Sequence, residues 1–546
     1  MTDANRNVRL KKENEQLMAD NERLIQENKA LQKELKKLGA ELMRLSDQIA
    51  TLTRKLYGRQ TERTEAVIDK DQVTFLFDEA ETEGDPKVKE PALDEAIAGY
   101  TRRKKQKGRR EADLSAFPHQ KVIHQLADSD RFCNRCGTLM QRIGETFVRS
   151  ELVYVPPRLY VKDHYQESYE CLACRKLERP HIEKSPLPDP VISHSFAAPS
   201  TVAWAMYQKY VNAMPLYRQE KEWEALGIPI SRATLANWMI LTARDHLIPL
   251  KDRMARTMKQ EEVLHADETP VQVMGEDGRS NTATSYMWLY ATGEHSDHPI
   301  RIFDYRPGRG GKYPRAFLKG FKGYLHTDAY AGYDQVPDIT RCLCFAHLRR
   351  NFIDALPKDK AKRKGTLSEQ AITYCNALFA AEREMKELSD EERRRKRLEQ
   401  EKPILEEFWG WLEKTEPTVL PKSALGQAVS YALKYKEGFM AYLEDGKCSL
   451  SNNLAENAIR PFTIGRKNWL FSASPKGAEA SAAIYSIIET AKANGLDPYL
   501  YLEYLFEHLP GLPVNRRPEL LDRLMPWMPK IQEACGKGKS RNSICE

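Results

Sequence analysis

Two short stretches place a carboxylate where a buried strand would end. Glu262–Val273 is centred on Leu264-His265-Ala266-Asp267-Glu268-Thr269-Pro270, and Gly323–Asp328 repeats the design as Tyr324-Leu325-His326-Thr327-Asp328. Side chains alternate faces along a strand, so Asp267 and Asp328 can both point into one cleft. Convergent anionic oxygens suit a hard cation such as Mg²⁺. A third acid follows at Glu456, in Ser449–Pro461, with Arg460 four residues on and on the same helical face. Two divalent ions roughly 4 Å apart activate the attacking oxygen and stabilise the leaving one in an in-line phosphoryl displacement. Such a pair, Mg²⁺ or Mn²⁺, would be bridged by Asp267, with Asp328 holding one ion and Glu456 the other. An Asp at a strand end is equally a capping or turn residue, so spacing alone leaves both readings open. Glu268 alternates away from Asp267 and is not expected among the ligands.

Softer ligands form a second set. Cys133-Asn134-Arg135-Cys136 and Cys171-Leu172-Ala173-Cys174 are two CxxC knuckles, and four thiolates give Zn²⁺ a closed structural shell. Cys133, Cys136, Cys171 and Cys174 therefore predict a zinc ribbon, with two short strands in Glu151–Tyr169 around Pro156-Pro157. His119 and His124 read as ordinary surface or strand residues. Cys342-Leu343-Cys344-Phe345-Ala346-His347 offers three soft groups without a fourth nearby, and reads as a buried strand followed by a helix that brings His347 near the cleft. His265 and His326 share a face with the two strand acids, where a hydrogen bond to the carboxylates, direct ligation and plain packing are all open.

The elements that must position these groups follow from patterning. Leucine recurs every seventh residue from Leu10 to Leu52, with Asn14, Asn21 and Asn28 at the matching a positions, which predicts a coiled coil of about 70 Å. A parallel dimer, or a higher oligomer, is the expected product; one long helix packed on its own chain is the alternative. Residues 1–57 form this zipper, and 58–112 a linker that ends in a basic run. That run, Arg102, Arg103, Lys104, Lys105, Lys107, Arg109 and Arg110, places seven cations in nine residues, a density suited to a phosphate backbone. Residues 113–185 hold the ribbon. A helical segment, 190–255, includes a turn at Gly227–Ile230 and a helix from Arg232 capped by Ser231. This is the outline of a helix-turn-helix presenting Arg232 and Asn237, and equally of ordinary helical packing.

From Val263 the order becomes strand, strand, strand, short helix, strand, then strand and helix, with strands at Ser285–Ala291, Pro299–Tyr305 and Thr340–Phe345. That is a ribonuclease-H-like order, in which the first and fourth strands lie side by side. A charged helical insertion, 358–447, splits this α/β core into 256–357 and 448–510. Ser451 or Asn452 is expected to cap a short helix limited by Pro461. The basic and aromatic Gly465–Phe471 is expected near a strand end, with Arg460, Arg466 and Lys467 as further DNA contacts. Residues 511–546 read as an uninformative tail. The fold class is thus multidomain α+β.

Composition sets outer bounds. The chain has 546 residues, 30% of them charged, and a net charge of +7. Its length exceeds what one core serves, and no apolar run approaches the roughly 18 residues of a membrane span. The N-terminus has no apolar signal region, so a soluble cytoplasmic protein is expected, with no membrane partner.

At these residues the chain resembles the transposases of the insertion-sequence 66 family. The matching motifs are Ala266-Asp267-Glu268-Thr269-Pro270, Asp328-Ala329-Tyr330-Ala331-Gly332-Tyr333, Ala346-His347-Leu348-Arg349-Arg350, Asn452-Asn453-Leu454-Ala455-Glu456 and Gly465-Arg466-Lys467-Asn468-Trp469, with Pro215–Gln219 and both knuckles. The resemblance implies a DDE-type enzyme in which Asp267, Asp328 and Glu456 cut the 3′ ends of a mobile element and join them to target DNA. It implies double-stranded DNA partners, a bacterial, nucleoid-associated location when bound, and accessory proteins encoded by the same element. DDE enzymes often carry a basic residue one or two turns after the glutamate; Arg460 and Arg466/Lys467 both qualify. Two other functions fit the same segments: a catalytically inactive zipper and zinc-ribbon DNA-binding regulator, and a metal-dependent nuclease that cuts without joining.

Overall fold

Strand β3, Val263–Val273, is the spine of the sheet. Its first residues, Val263, Leu264, His265 and Ala266, are buried on both faces, as in a central strand with layers packed on each side of the sheet. The computed structural model describes residues 159–171 and 181–537, with Met18, Lys121, Thr138, Leu139 and Lys176 as isolated positions. The chain divides into Met1–Arg103 and Lys104–Glu546. The expected zipper, the basic run Arg102–Arg110, His119, His124, Cys133, Cys136 and Cys174 lie outside the described residues. No helix among the described residues is long and apolar enough to cross a membrane.

In the second unit, β1 (Ser168–Glu170) and β2 (Ile182–Lys184) pair antiparallel, and Cys171 N donates to His181 O at 2.9 Å. The two short strands expected in Glu151–Tyr169 are corrected over the described part, 159–169, where only Ser168 and Tyr169 are strand. Val161 and Tyr165 are 84% and 88% exposed, so the alternation buries no face there, and β1 finds its partner beyond the second knuckle, where Ser185 N also donates to Glu167 O at 3.0 Å. Four helices follow, α1 (Pro199–Tyr210), α2 (Leu216–Ala225), α3 (Arg232–Thr242) and α4 (Ile248–Met258). Ser231 caps α3 by accepting from Thr234 N at 3.2 Å. Leu235, Trp238 and Met239 are buried, whereas Arg232 and Asn237 are exposed.

The main sheet is mixed. β3 pairs antiparallel with β4 (Thr284–Thr292), which pairs antiparallel with β5 (Arg301–Arg306). After helix α5 (Lys312–Phe317), β6 (Gly323–Thr327) lies parallel to β3, and β7 (Ile339–Leu343) parallel to β6. The spatial order is therefore β5-β4-β3-β6-β7, with the short β8 (Phe471–Ser472) beside the far end of β3. Gly323 permits the parallel contact. Its φ is +148°, and a Cβ there would lie 2.2 Å from Glu262 O, the acceptor of Tyr324 N at 2.9 Å. Gly323→Ala is expected to destabilise the core by at least ~2 kcal/mol, read as a lower midpoint in thermal unfolding.

Two hydrophobic cores share this sheet. One joins it to α1–α4 and to the C-terminal helices α13 (Pro475–Ala493) and α14 (Pro498–His508). The other joins β7 and α6 (Phe345–Asp354) to the helical segment that follows, through Phe352, Leu405, Phe408, Trp409, Val429 and Phe439. That segment runs through α7 (Leu367–Glu384), α8 (Asp390–Lys396), α9 (Lys402–Thr415), α10 (Ala424–Lys434) and α11 (Lys436–Met440). The outer edge of β5 is met by hydroxyls of α13: Phe303 N donates to Ser486 Oγ at 2.8 Å, and Arg301 N to Thr490 Oγ1 at 3.0 Å. These bonds satisfy donors an edge strand would otherwise present.

Two further expectations are corrected. Helix α12 runs Asn453–Trp469 straight through Pro461. Ala455, Ile459 and Phe462 bury its inner face, and that packing outweighs the hydrogen bond proline cannot donate. Gly465–Trp469 is therefore the end of this helix, and of the expected Gly465–Phe471 stretch only Phe471 is strand, in β8 beside the end of β3. The segment after Pro510 is part of the core: Leu521, Leu524, Met525 and, in α15 (Pro529–Cys535), Ile531 are buried. Arg253 also grips Asp522 with two bonds of 2.6 and 2.7 Å.

Candidate active site

The register of β3 and β6 decides where the strand acids go. His265 is opposite His326, and each acid lies two residues further along its strand, so Asp267 and Asp328 emerge side by side. The two imidazoles stack beneath them with centroids 4.4 Å apart. Helix α12 brings Glu456 to the same place in its first turn, where the helix dipole favours a carboxylate. Asp267 is pushed well above the ordinary carboxylate range by desolvation, then by the negative charges of Glu268, Asp328 and Glu456. Four acids thus share one electrostatic neighbourhood.

Asn452 sets the position of α12. It occupies the N-cap but makes no side-chain cap bond; the expected capping role is replaced by a clamp. Its Nδ2 donates to Ala266 O at 2.9 Å, and its Oδ1 meets His265 Nδ1 at 2.9 Å. Because the amide oxygen only accepts, His265 Nδ1 carries the proton. Asn452 N donates to Cys344 Sγ at 3.1 Å. One 2%-exposed side chain therefore ties the start of the Glu456 helix to the strand of Asp267.

Glu268 is opposite in pleat to Asp267 but close in charge. Its Oε2 accepts from Tyr333 Oη at 2.6 Å, and its Oε1 from Arg309 Nε at 2.7 Å. The Arg309 guanidinium also lies 3.9 Å from Asp328 Oδ2 and 4.1 Å from the centre of the Tyr330 ring. Arg309, Tyr330, Tyr333 and Asn452 were not legible as site residues from spacing. For Arg309 the local signal was the glycine-rich Pro307–Gly311, which fits a loop that approaches another segment closely; Tyr330, Tyr333 and Asn452 fall inside the motifs Asp328–Tyr333 and Asn452–Glu456.

Among the DNA contacts expected on α12, Arg460 is exposed, one turn beyond Glu456. Arg466 turns inward instead, 5% exposed and donating to Thr269 Oγ1 at 3.1 Å. It ties α12 to β3, which corrects its reading as a surface contact. Lys467 is half-buried, and burial followed by the charge of Arg466 lowers its pKa.

The donor set fits a divalent cation. Asp267 Oδ1 accepts from Glu268 N and Asp328 Oδ1 from Tyr330 N, at 2.9 and 3.0 Å, which orients both carboxylates. Glu456 Oε1 is buried without a hydrogen-bond partner, 3.6 Å from the similarly unpartnered His347 Nδ1. Cys344 stands in the same group with His347 and Glu456; burial raises its thiol to about 11. His347 thus lies beside the third acid, as its place after β7 predicted.

Residues 194–480 match the family described as Transposase IS66 family. The chain belongs to that family. Residues 486–527 match the IS66 C-terminal element, 130–175 the zinc-finger binding domain of transposase IS66, and 44–122 Transposase C of IS166 homeodomain. All four ribbon cysteines fall within the zinc-finger match, and the C-terminal match takes in Leu521, Leu524 and Met525 of the core but stops before α15. The IS66 chain is also similar to the uncharacterized proteins y4hP and y4qI of Sinorhizobium fredii (strain NBRC 101917 / NGR234). Each is 28% identical, and each match covers 88% of this chain and 87% of the relative. No solved structure matches.

Proposed function

We propose that this IS66 transposase cuts the 3′ ends of its element and joins them to target DNA in a ribonuclease-H-like core of DDE type. The observation that carries the reading is the meeting of Asp267, Asp328 and Glu456, from two adjacent parallel strands and one clamped helix. Asp267, Asp328 and Glu456 would hold two Mg²⁺ or Mn²⁺ ions. When bound, the ions supply Lewis acidity and lower the pKa of the attacking water or 3′-hydroxyl. The chain's own contribution is placement. Arg309 presents its guanidinium beside Asp328, where it meets a phosphate of the reacting strand, and Glu268, Tyr333 and Tyr330 hold it there. Arg460 faces the DNA one turn beyond Glu456.

DNA is gripped elsewhere by the basic run Arg102–Arg110, with Arg232 and Asn237 on α3 as further candidates. Cys133, Cys136, Cys171 and Cys174 hold a structural Zn²⁺. The zipper pairs two chains so that two ends react together, in the cytoplasm of a bacterial cell and beside accessory proteins of the same element.

The test is strand transfer of an element-end oligonucleotide with a free 3′-hydroxyl into a plasmid, in Mg²⁺ or Mn²⁺. Joined product is expected. Cut but unjoined DNA would favour a nuclease, and binding without product a regulator. Within this assay, Arg309→Ala is expected to lower kcat/KM about 10–100-fold. Arg309→Lys should recover only part of that, because a point charge replaces a fork matched to phosphate. Single-turnover joining at several DNA concentrations reads both effects.

A further inference from the structure

A second cluster of metal-ligating groups lies behind the acids. His326 on β6 is opposite Cys342 on β7, and Cys448 returns to them from the end of the helical insertion. The three are 0%, 1% and 1% exposed, and one ligand atom from each lies within 4.8 Å of the others. The two sulfurs are 4.0 Å apart. Two thiolates bound about 2.3 Å from one Zn²⁺ stand about 3.8–4.0 Å apart, for tetrahedral to trigonal angles. His326 Nε2 accepts from Ser449 N at 3.3 Å, so without a cation the buried, unpartnered Nδ1 carries the imidazole proton; a cation at Nε2 takes the place of the Ser449 bond, and one at Nδ1 sends that proton to Nε2.

We propose that His326, Cys342 and Cys448 form a buried structural site for a thiophilic divalent cation, with Zn²⁺ as its natural probe. Two thiolates and a neutral imidazole make a complex of zero net charge with Zn²⁺, and binding releases two thiol protons. Zero net charge is what a water-free interior tolerates. The ion joins β6, β7 and the exit of the insertion, four residues before Asn452. It is a site apart from the zinc ribbon and from the acid trio, and it does no chemistry on DNA.

The test is the zinc content of the full-length protein purified under reducing conditions. Two equivalents per chain are expected in the wild type. One should remain in Cys133→Ser/Cys136→Ser/Cys171→Ser/Cys174→Ser, and one in Cys342→Ser/Cys448→Ser. As a check independent of how the variants fold, the wild type is also titrated with a mercurial thiol reagent while released zinc is followed; two equivalents should leave in separate phases, the buried one later. One equivalent in total, or an unchanged count in Cys342→Ser/Cys448→Ser, would overturn the proposal. So would a Cys342–Cys448 disulfide in the reduced preparation with no second zinc.

Discussion

Asp267→Asn, Asp328→Asn and Glu456→Gln are each expected to lower strand transfer at least ~10³-fold while leaving DNA binding intact. The same changes should not cost stability, and Asp267→Asn should add some. In the metal-free fold Asp267 is desolvated beside three other acids, and its pKa is raised. The sign follows from linkage. Between the unfolded value near 3.9 and the raised folded value, the native state holds the extra proton. Metal-free stability therefore falls as pH rises through that window, and the full penalty stands above the folded pKa. Asp267→Asn removes it. Mg²⁺ should relieve it in the wild type, by about 2.7 kcal/mol at a hundredfold excess over Kd, and much less in the variant. Thermal unfolding at pH 5 and pH 8, with and without Mg²⁺, measures all four conditions. Wild-type joining by any of the three variants would remove that residue from the site.

Asn452→Ala is expected to silence the enzyme without touching a carboxylate. The substitution strands Ala266 O and His265 Nδ1, both buried partners of the amide. Unsatisfied buried groups of this kind cost about 1–3 kcal/mol each, so a loss of about 2–6 kcal/mol in stability should follow. The larger effect is geometric. With α12 released from β3, Glu456 loses its fixed distance to Asp267, and misplacement of about 1 Å can cost on the order of 10²-fold in rate. Joining should therefore fall further than the folded fraction does, which circular dichroism and the strand-transfer assay measure together. Equal losses in the two would make Asn452 a stability residue alone.

Strand order was legible because the signals were local and redundant. The repeated Leu-His-x-Asp of β3 and β6 marked both strands, and the parallel register then made their acids neighbours. Pro461 misled because a rule about an isolated helix was applied where tertiary packing decides; Ile459 and Phe462 hold the helix on either side of the proline. The alternation before Tyr169 misled because periodicity reports a buried face only where a face is buried. Arg309 and Glu268 could not be found from spacing, since their pairing joins a loop to a strand 41 residues away. Asn452 was read in the right place and for the wrong partner. Its sequence position specifies a cap, whereas the amide bonds to β3, which only the folded chain brings near.

The hydroxyls of Ser486 and Thr490 along β5 have a counterpart at the opposite margin, where the Lys436–Leu443 stretch packs on β7. On the β5 side these hydroxyls occupy backbone groups that an added strand would need. A second copy annealing along β5 would first have to displace α13, which closes one route to fibril-like stacking.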